Sequence, residues 1–372
     1  MMKLFPSKKF ICAAAVAAIT ASASFAFAAE EKVLNIYNWY DYIAPNTISD
    51  FEKETGIKVR YDNFDTNELL HAKLVAGKTG YDIVVPSLAW AKIQIDGGLL
   101  AKLDKTKIPN LKNLDAGIMK QLAVMDPGNE HIVPWMWGIT TVGINVDKVK
   151  AAIAPLPLPD NAWDLVFKEE YVSKLKSCGV SMLDSADEIF PAALRYLGKP
   201  PYSKNNADYN AAATLLKSIR QYVSLFSSSG YINELAGGSL CAVIGWNGDI
   251  NIAANRAKEA KNGQNIEALI PKTGAVLLFD TMAIPADAAH PENAHMFIDY
   301  ILRPEVNAAL TNKVFYANPV PAGLKFIKPE IASSKTVFLP PADLARMVPP
   351  EATNNDIRRL RTRLFTTFKT GL

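Results

Sequence analysis

The chain has 372 residues, with 40 Lys or Arg residues and 37 Asp or Glu residues, and its charged fraction of 21% is close to that of an average globular protein. Three of the basic residues and none of the acidic ones precede position 29, so residues 29–372 carry no net charge. The sequence contains no basic patch or run, so it gives no indication that nucleic acid or an anionic membrane is a partner.

The N-terminal residues 1–28 have the pattern of a secretory signal peptide. Lys3, Lys8 and Lys9 precede an apolar, alanine-rich run, and Ala26-Phe27-Ala28 supplies the small residues of a cleavage site. No other run approaches the ~18 apolar residues that a membrane-spanning helix needs. We therefore expect an exported, soluble protein of an extracytoplasmic space whose remaining length is divided between two domains.

After the signal peptide the chain contains two cysteines, Cys178 and Cys241. An even number of cysteines in an oxidising compartment indicates a single disulfide bond. Two buried free thiols remain the alternative on this reasoning.

The stretch Asn38-Trp39-Tyr40-Asp41-Tyr42 follows a short apolar strand pattern over residues 33–37. Aromatic faces attract cations, and a carboxylate pairs directly with an ammonium group. The stretch is therefore typical of one end of a cage for an organic cation. An aromatic turn that packs on a neighbouring helix is the structural alternative.

The next elements alternate between strands and helices. The pattern predicts helices over 46–55, ended by Gly56, and 67–75, and strands over 57–61 and 81–85. Such alternation is typical of a doubly wound α/β sheet, which binds ligands beyond the carboxyl ends of its strands. Residues 38–42 and Ser87 both follow such ends, which favours the ligand interpretation.

The second half of the chain repeats this arrangement. A long strand flanked by glycines, around 135–144, is interpreted as the first crossing into a second lobe. Further strands are predicted over 179–183, 241–249 and 275–280, each ending in or shortly preceding an aromatic or acidic pair. Several such endings that project from one sheet edge would converge on one cleft.

From about residue 34 to the C-terminus, the sequence resembles the periplasmic polyamine-binding proteins of ABC importers, most closely the putrescine-binding type. The stretches that carry the resemblance are residues 37–45, 81–87, 177–181 with Glu188 beyond them, 245–249, 271–274 leading to 279–280, and 316–319. The resemblance implies an α/β fold of two lobes, the class II Venus-flytrap architecture, with the ligand in the cleft between them. Lobe 1 would comprise residues 29–141 and 280–324, and lobe 2 residues 142–279 and 325–372.

The resemblance also implies the ligand contacts and the disulfide. The ligand-binding residues expected from it, with Tyr40 from the same aromatic stretch, are Trp39, Tyr40, Asp41, Tyr42, Ser87, Glu188, Trp246, Asp249, Asp280 and Tyr316. Tyr40 stands where the family usually has Ser or Thr, and Leu278 where the putrescine type has Phe. The family's disulfide in the second lobe would join Cys178 and Cys241.

The function implied is delivery of putrescine or a similar short diamine to an inner-membrane ABC permease by a monomer that needs no cofactor and no metal. A preference for spermidine is the alternative within the family. Spermidine-preferring relatives have an acidic residue three positions before the glutamate that matches Glu188, and this chain has Ser185 there. The missing charge favours the shorter diamine, because a third buried ammonium would lack a partner.

Other classes of function fit the sequence less well. The histidines His71, His131, His290 and His295 are scattered and are expected at the surface or at helix caps, and no hydrolase or nucleotide-binding motif is present, so we do not expect an enzyme. Among binding proteins for other ligands, a sugar-binding protein is the strongest alternative, because sugars also bind to aromatic faces and carboxylates. Carboxylates of both lobes facing one cavity without basic partners would favour a dication.

Overall fold

The computed structural model describes residue 1 and residues 30–371, and from Lys32 onward the chain forms one compact unit. Apart from Met1, the predicted signal peptide lies outside the described residues. No helix in the described part of the chain is both long and apolar enough to cross a membrane.

The strands and helices of the described residues alternate along most of the chain. The strands are β1 Val33–Trp39, β2 Lys58–Phe64, β3 Ile83–Val84, β4 Ile132–Asn145, β5 Val180–Met182, β6 Leu225–Phe226, β7 Ala242–Trp246, β8 Ile266–Leu269 and β9 Leu277–Ala283. The helices are α1 Thr47–Thr55, α2 Asn67–Ala76, α3 Leu88–Asp96, α4 Ala116–Leu122, α5 Val146–Ile153, α6 Asp164–Phe167, α7 Glu169–Leu175, α8 Ala186–Tyr196, α9 Asn206–Ile219, α10 Tyr231–Gly237, α11 Asn247–Ala260, α12 Pro291–Ile301, α13 Pro304–Val314, α14 Pro329–Ala332, α15 Pro341–Leu344 and α16 Asn355–Thr370.

Local signals place the ends of the first helices where the sequence predicts them. Helix α1 ends at Gly56, whose φ of 71° lies in the left-handed region that glycine adopts without steric cost. Helix α2 begins after Thr66, whose hydroxyl accepts a hydrogen bond from the Leu69 N–H. The two predicted helices are thereby confirmed to within one residue at each end.

One predicted strand is too long. Residues 247–249 were expected to extend the strand that starts at Cys241, but the strand ends at Trp246 and Asn247 begins α11. The Asn247 side chain accepts from the Ile139 N–H at 2.8 Å and donates to the Thr336 carbonyl at 2.6 Å, which fixes the first turn of the helix. Asp249 consequently lies in the first turn of a helix and not on a strand.

The strands form one mixed sheet with the order β2-β1-β3-β9-β4-β7-β5-β6, and β8 pairs with β4 beside this path. Strand β4 connects its two halves. Residues 132–139 pair with β9, whereas residues 140–145 pair with β7 and β8. Within the halves, β1 is parallel to β2 and β3, and β5 is parallel to β6 and β7.

The change of partner in β4 between Ile139 and Thr140 lies close to the predicted lobe boundary at 141/142. Below, the first half denotes β1, β2, β3, β9 and the start of β4 with their helices, and the second half denotes β5 to β8 and the end of β4 with theirs. The boundaries of the lobes remain a prediction. Ile327, Ile331 and Val337, assigned to lobe 2, form a small apolar cluster with Ala308, assigned to lobe 1.

The predicted disulfide is confirmed. Cys178 and Cys241 are bonded with their Cα atoms 5.5 Å apart, just before the adjacent parallel strands β5 and β7 begin. It joins residues 63 positions apart within the second half.

Candidate ligand-binding site

The carboxyl ends of the parallel strands in both halves surround one cavity of about 480 Å³. The residues that line it are Trp39, Tyr40, Tyr42, Phe64, Asp65, Ser87, Glu188, Ser228, Ser229, Ile232, Trp246, Asp249, Leu278, Asp280 and Tyr316. Nine of the ten ligand-binding residues expected from the sequence are among them. The rule that ligands bind beyond the carboxyl ends of parallel strands therefore locates the cavity.

Asp280 comes from β9 of the first half and is 7% exposed. Its carboxylate accepts hydrogen bonds from the Tyr42 hydroxyl at 2.9 Å and from the Ser87 hydroxyl at 2.8 Å. Ser87 is in turn held by Asn67, which donates to its hydroxyl at 3.1 Å. These contacts fix the position of the carboxylate without neutralising its charge.

Asp249, also 7% exposed, is held in the same way in the second half. It accepts from the Tyr231 hydroxyl at 2.9 Å and from the Tyr316 hydroxyl at 2.7 Å. Glu188 lies in the first turn of α8 and accepts from the Thr140 hydroxyl. Each of the three carboxylates is thus bound by neutral hydroxyl groups.

Two tryptophans from opposite halves meet at the cavity. The rings of Trp39 and Trp246 are 5.7 Å apart and nearly perpendicular, at 70°. The Trp39 indole donates to the Val85 carbonyl at 2.8 Å, which fixes its ring against the end of β3. Tyr42 and Tyr316 form a second edge-to-face pair at 4.9 Å. Aromatic faces therefore line the space between the carboxylates.

Burial dominates the electrostatics of the site. It raises the pKa of Glu188 and of Asp249 to about 7, and that of Asp280 to about 6, against the opposing effect of their hydrogen bonds. None of the described residues that line the cavity is Lys, Arg or His. An organic cation that entered would favour the ionised carboxylates and supply the missing opposite charge.

Asp41 is the expected ligand-binding residue that does not line the cavity. It adopts a left-handed conformation, with φ of 54°, in the turn after β1. Its carboxylate points to α11, where Arg256 donates to it at 2.6 Å. Asp41 therefore joins the two halves of the molecule, and its charge is already paired.

Several lining residues were not expected from the sequence. Phe64 and Asp65, like Trp39, lie at the carboxyl end of a parallel strand. They were missed because the predicted strand ends at residue 61, whereas β2 continues to Phe64. Ser228 and Ser229 follow β6, a strand of two residues that is too short to leave a hydrophobic pattern. Tyr231 supports Asp249 from α10 without lining the cavity, and no local signal distinguishes it from a core tyrosine.

The histidines lie away from the cavity. His290 precedes α12 as an N-cap residue, as expected, and its ring nitrogen lies 3.0 Å from Asp82. The expectation of surface or cap positions is wrong for His295, which is 5% exposed. It lies on the inner face of α12, where its Nε2 accepts a hydrogen bond from the Asp104 N–H at 2.9 Å.

Comparisons with known proteins show which family and which individual proteins the chain is similar to. Residues 46–336 match the family of bacterial extracellular solute-binding proteins. Over 367 residues the chain is 47% identical to the putrescine-binding periplasmic protein PotF of Escherichia coli (strain K12), an alignment that covers 98% of this chain and 99% of that protein. It is also 47% identical to the putrescine-binding periplasmic protein SpuD of Pseudomonas aeruginosa (strain UCBPP-PA14), covering 94% and 95% of the two chains.

Among solved structures, a putative spermidine/putrescine ABC transporter protein from Listeria monocytogenes superposes with a TM-score of 0.80 at 30% identity. The superposition covers 91% of this chain and 99% of the other. The predicted α/β fold of two lobes is confirmed by the family match and by this neighbour.

Proposed function

The chain belongs to the family of bacterial extracellular solute-binding proteins, and from this premise we propose that it is the periplasmic binding component of a polyamine ABC importer. Its ligand is putrescine or a similar short diamine, which it delivers to a membrane permease. The observation that carries this proposal is the presence of Glu188, Asp249 and Asp280 in one aromatic cavity whose described lining has no basic residue.

The chemistry of a diamine matches the two kinds of lining residue. Two ammonium groups require carboxylates from opposite sides of the cavity, and the methylene stem requires apolar faces. Burial of the four methylenes of putrescine contributes about 3 kcal/mol at ~0.8 kcal/mol each, whereas micromolar binding needs about 8 kcal/mol. Charge-assisted hydrogen bonds of roughly 1.5 to 3 kcal/mol each from the carboxylates supply the difference and offset the entropy of binding.

In this proposal Asp280 binds one ammonium from the first half, and Glu188 and Asp249 bind the other from the second half. Trp39, Tyr42, Trp246 and Tyr316 pack on the stem, with Tyr40 at the mouth, where it is 50% exposed. Because a dication contacts both halves, its binding favours their approach, and the permease recognises the closed form. The protein acts as a monomer and catalyses no reaction.

The experiment is calorimetric titration of the mature protein with putrescine, cadaverine, spermidine and a neutral sugar. We expect the diamines to bind at micromolar or lower dissociation constants and the sugar not to bind. Tighter binding of spermidine than of putrescine would support a spermidine-preferring protein of the same family. Binding of the sugar alone would refute the proposal.

A further inference from the structure

A second cavity of about 630 Å³ lies next to the ligand cavity. Ser87, Glu188 and Leu278 line both, so Glu188 belongs to the wall between them. A polyamine whose ammonium is bound at Glu188 and whose chain continues beyond it would enter this side cavity. Ser185, the position expected to decide between putrescine and spermidine, lines neither cavity.

The charges that line the side cavity are balanced. Apart from the shared Glu188, its charged lining residues are Asp187, Glu351, Arg358 and Arg361, two acidic and two basic. Glu68 does not line the cavity but lies close enough to Asp187 and Arg361 to interact with both. The side cavity thus differs from the ligand cavity, in which every charged residue of the described lining is acidic.

Asp187 is not available to bind an additional ammonium group. Its carboxylate forms an ion pair with Arg361 from the C-terminal helix α16 and accepts from the Trp90 indole at 2.6 Å. The Arg361 side chain is 4% exposed, and its Nε is buried without a hydrogen-bond partner among the described residues. Arg358, one turn earlier, lies over the Trp90 ring at 5.8 Å. An incoming ammonium therefore meets two guanidinium groups and, at Asp187, a carboxylate that is already paired.

We propose that Arg361, assisted by Arg358, is a specificity-determining residue that restricts the site to short diamines. The inference rests on the proposed function. The guanidinium groups neutralise the acidic side of the side cavity and repel the third ammonium of a longer polyamine, while a short diamine, which ends at Glu188, does not reach them. Exclusion is thus electrostatic, because both guanidinium groups line the cavity that the additional ammonium would enter.

The test is a charge series measured as the ratio of the spermidine to the putrescine dissociation constant. We expect Arg361→Gln and Arg358→Gln each to lower this ratio by about tenfold, because either change leaves the cavity one unit more negative. Asp187→Asn should raise the ratio, and Arg361→Lys should leave it unchanged. The double variant Asp187→Asn with Arg361→Gln restores neutrality and should return the ratio to within roughly threefold of the wild-type value.

Arg363→Gln is the matched control, since Arg363 lies exposed on the same helix. If Arg361→Gln does not fold, Arg358→Gln and Asp187→Asn still test the order of the series. A ratio that does not follow the charge, or a wild-type protein that binds spermidine as tightly as putrescine, would overturn the inference. Failure of the wild type to bind putrescine would instead overturn the proposed function.

Discussion

At the scale of single residues, the site is governed by the competition between burial and local stabilisation of charge. Glu188 and Asp249 lie in the first turns of helices, where the helix dipole favours a carboxylate by about 0.3 to 1 kcal/mol. Burial outweighs this effect and raises the pKa of both. The protein therefore holds carboxylates in an environment in which the ionised form needs a cation.

The first prediction concerns these carboxylates individually. Asp249→Asn and Asp280→Asn preserve shape but remove one charge each, which leaves a buried ammonium of the ligand without its partner. We expect the putrescine dissociation constant to rise at least ~100-fold in each, because breaking a buried ion pair costs about 3 to 5 kcal/mol. Asp287→Asn, at an exposed position near β9, is the control in calorimetric titration. Diamine binding as tight as that of the wild type would show the carboxylate assignment to be wrong.

The raised pKa values make binding depend on pH. In the free protein the pKa is about 7 for Glu188 and Asp249 and about 6 for Asp280. Below these values the carboxylates hold protons, which a bound cation displaces. Affinity is therefore greatest above pH 7 and falls as the pH decreases through these values. We expect at least a ~30-fold loss between pH 8 and pH 5.5, since each released proton costs up to tenfold per pH unit below its free-state pKa.

Titration in two buffers of different ionisation enthalpy at pH 6.5 should also reveal proton release on binding. The charge of the ligand does not change over this range, because primary amines titrate near pH 10. An affinity independent of pH between 8 and 5.5 would mean that the carboxylates are already ionised in the free protein.

At the scale of elements, the first turn of α11 determines the geometry of the site, because it positions Asp249 in the cavity. A Cβ atom at Gly248 would lie 2.1 Å from the Tyr316 ring, a distance that no non-bonded contact permits. The helix cannot retreat, because the Asn247 side chain ties its first turn to Ile139 and Thr336. Glycine at this position therefore allows Tyr316 to reach Asp249.

Gly248→Ala should displace Tyr316 and release Asp249 from one of its hydroxyl donors. We expect a loss of putrescine affinity of at least ~10-fold and a lower Tm, although replacing a helical glycine by alanine usually stabilises by about 0.5 to 1 kcal/mol. Gly237→Ala in α10, where an added Cβ meets no atom within 4 Å, is the matched control and should leave affinity unchanged. Unchanged binding in Gly248→Ala would contradict the role given to this contact.

At the scale of the whole molecule, contacts between the halves close the site. Asp41 of the first half forms an ion pair with Arg256 of the second half. In a separate contact, the Trp90 indole of the first half donates to Asp187 of the second half. The Asp41–Arg256 pair is partly exposed, with 24% and 28% of the side chains accessible. It connects the halves without occupying the ligand cavity.

Arg256→Ala should therefore weaken the closed form and leave the ligand contacts intact. We expect the dissociation rate of putrescine to rise about fivefold, since a partly exposed ion pair contributes about 1 kcal/mol, with little change in the association rate. Lys258→Ala, at an exposed position of the same helix, is the control in stopped-flow measurements. A mutant that changed only the association rate would identify Arg256 as a steering residue instead.

The sequence alone determined the local elements and the edge of the sheet at which the cavity lies. Helix caps such as Gly56 and the aromatic and acidic residues at strand ends belong to this class, whereas the pairing of Cys178 with Cys241, across 63 positions, was indicated by the cysteine count and the family resemblance. They were predictable because caps, strand periodicity and the carboxyl-end rule depend on residues close in sequence. The lobe boundaries and the individual ligand contacts stay predictions.

Only the tertiary structure decided which charges are free and which are paired. Asp41 and Asp187 have the same residue type as Asp249, yet Arg256 and Arg361 neutralise the first two, across 215 and 174 positions of sequence. Asp249 is instead held by the hydroxyls of Tyr231 and Tyr316 and keeps its place in the cavity. The state of a carboxylate is set by burial and by its neighbours in space, and neither is encoded by the residues next to it along the chain.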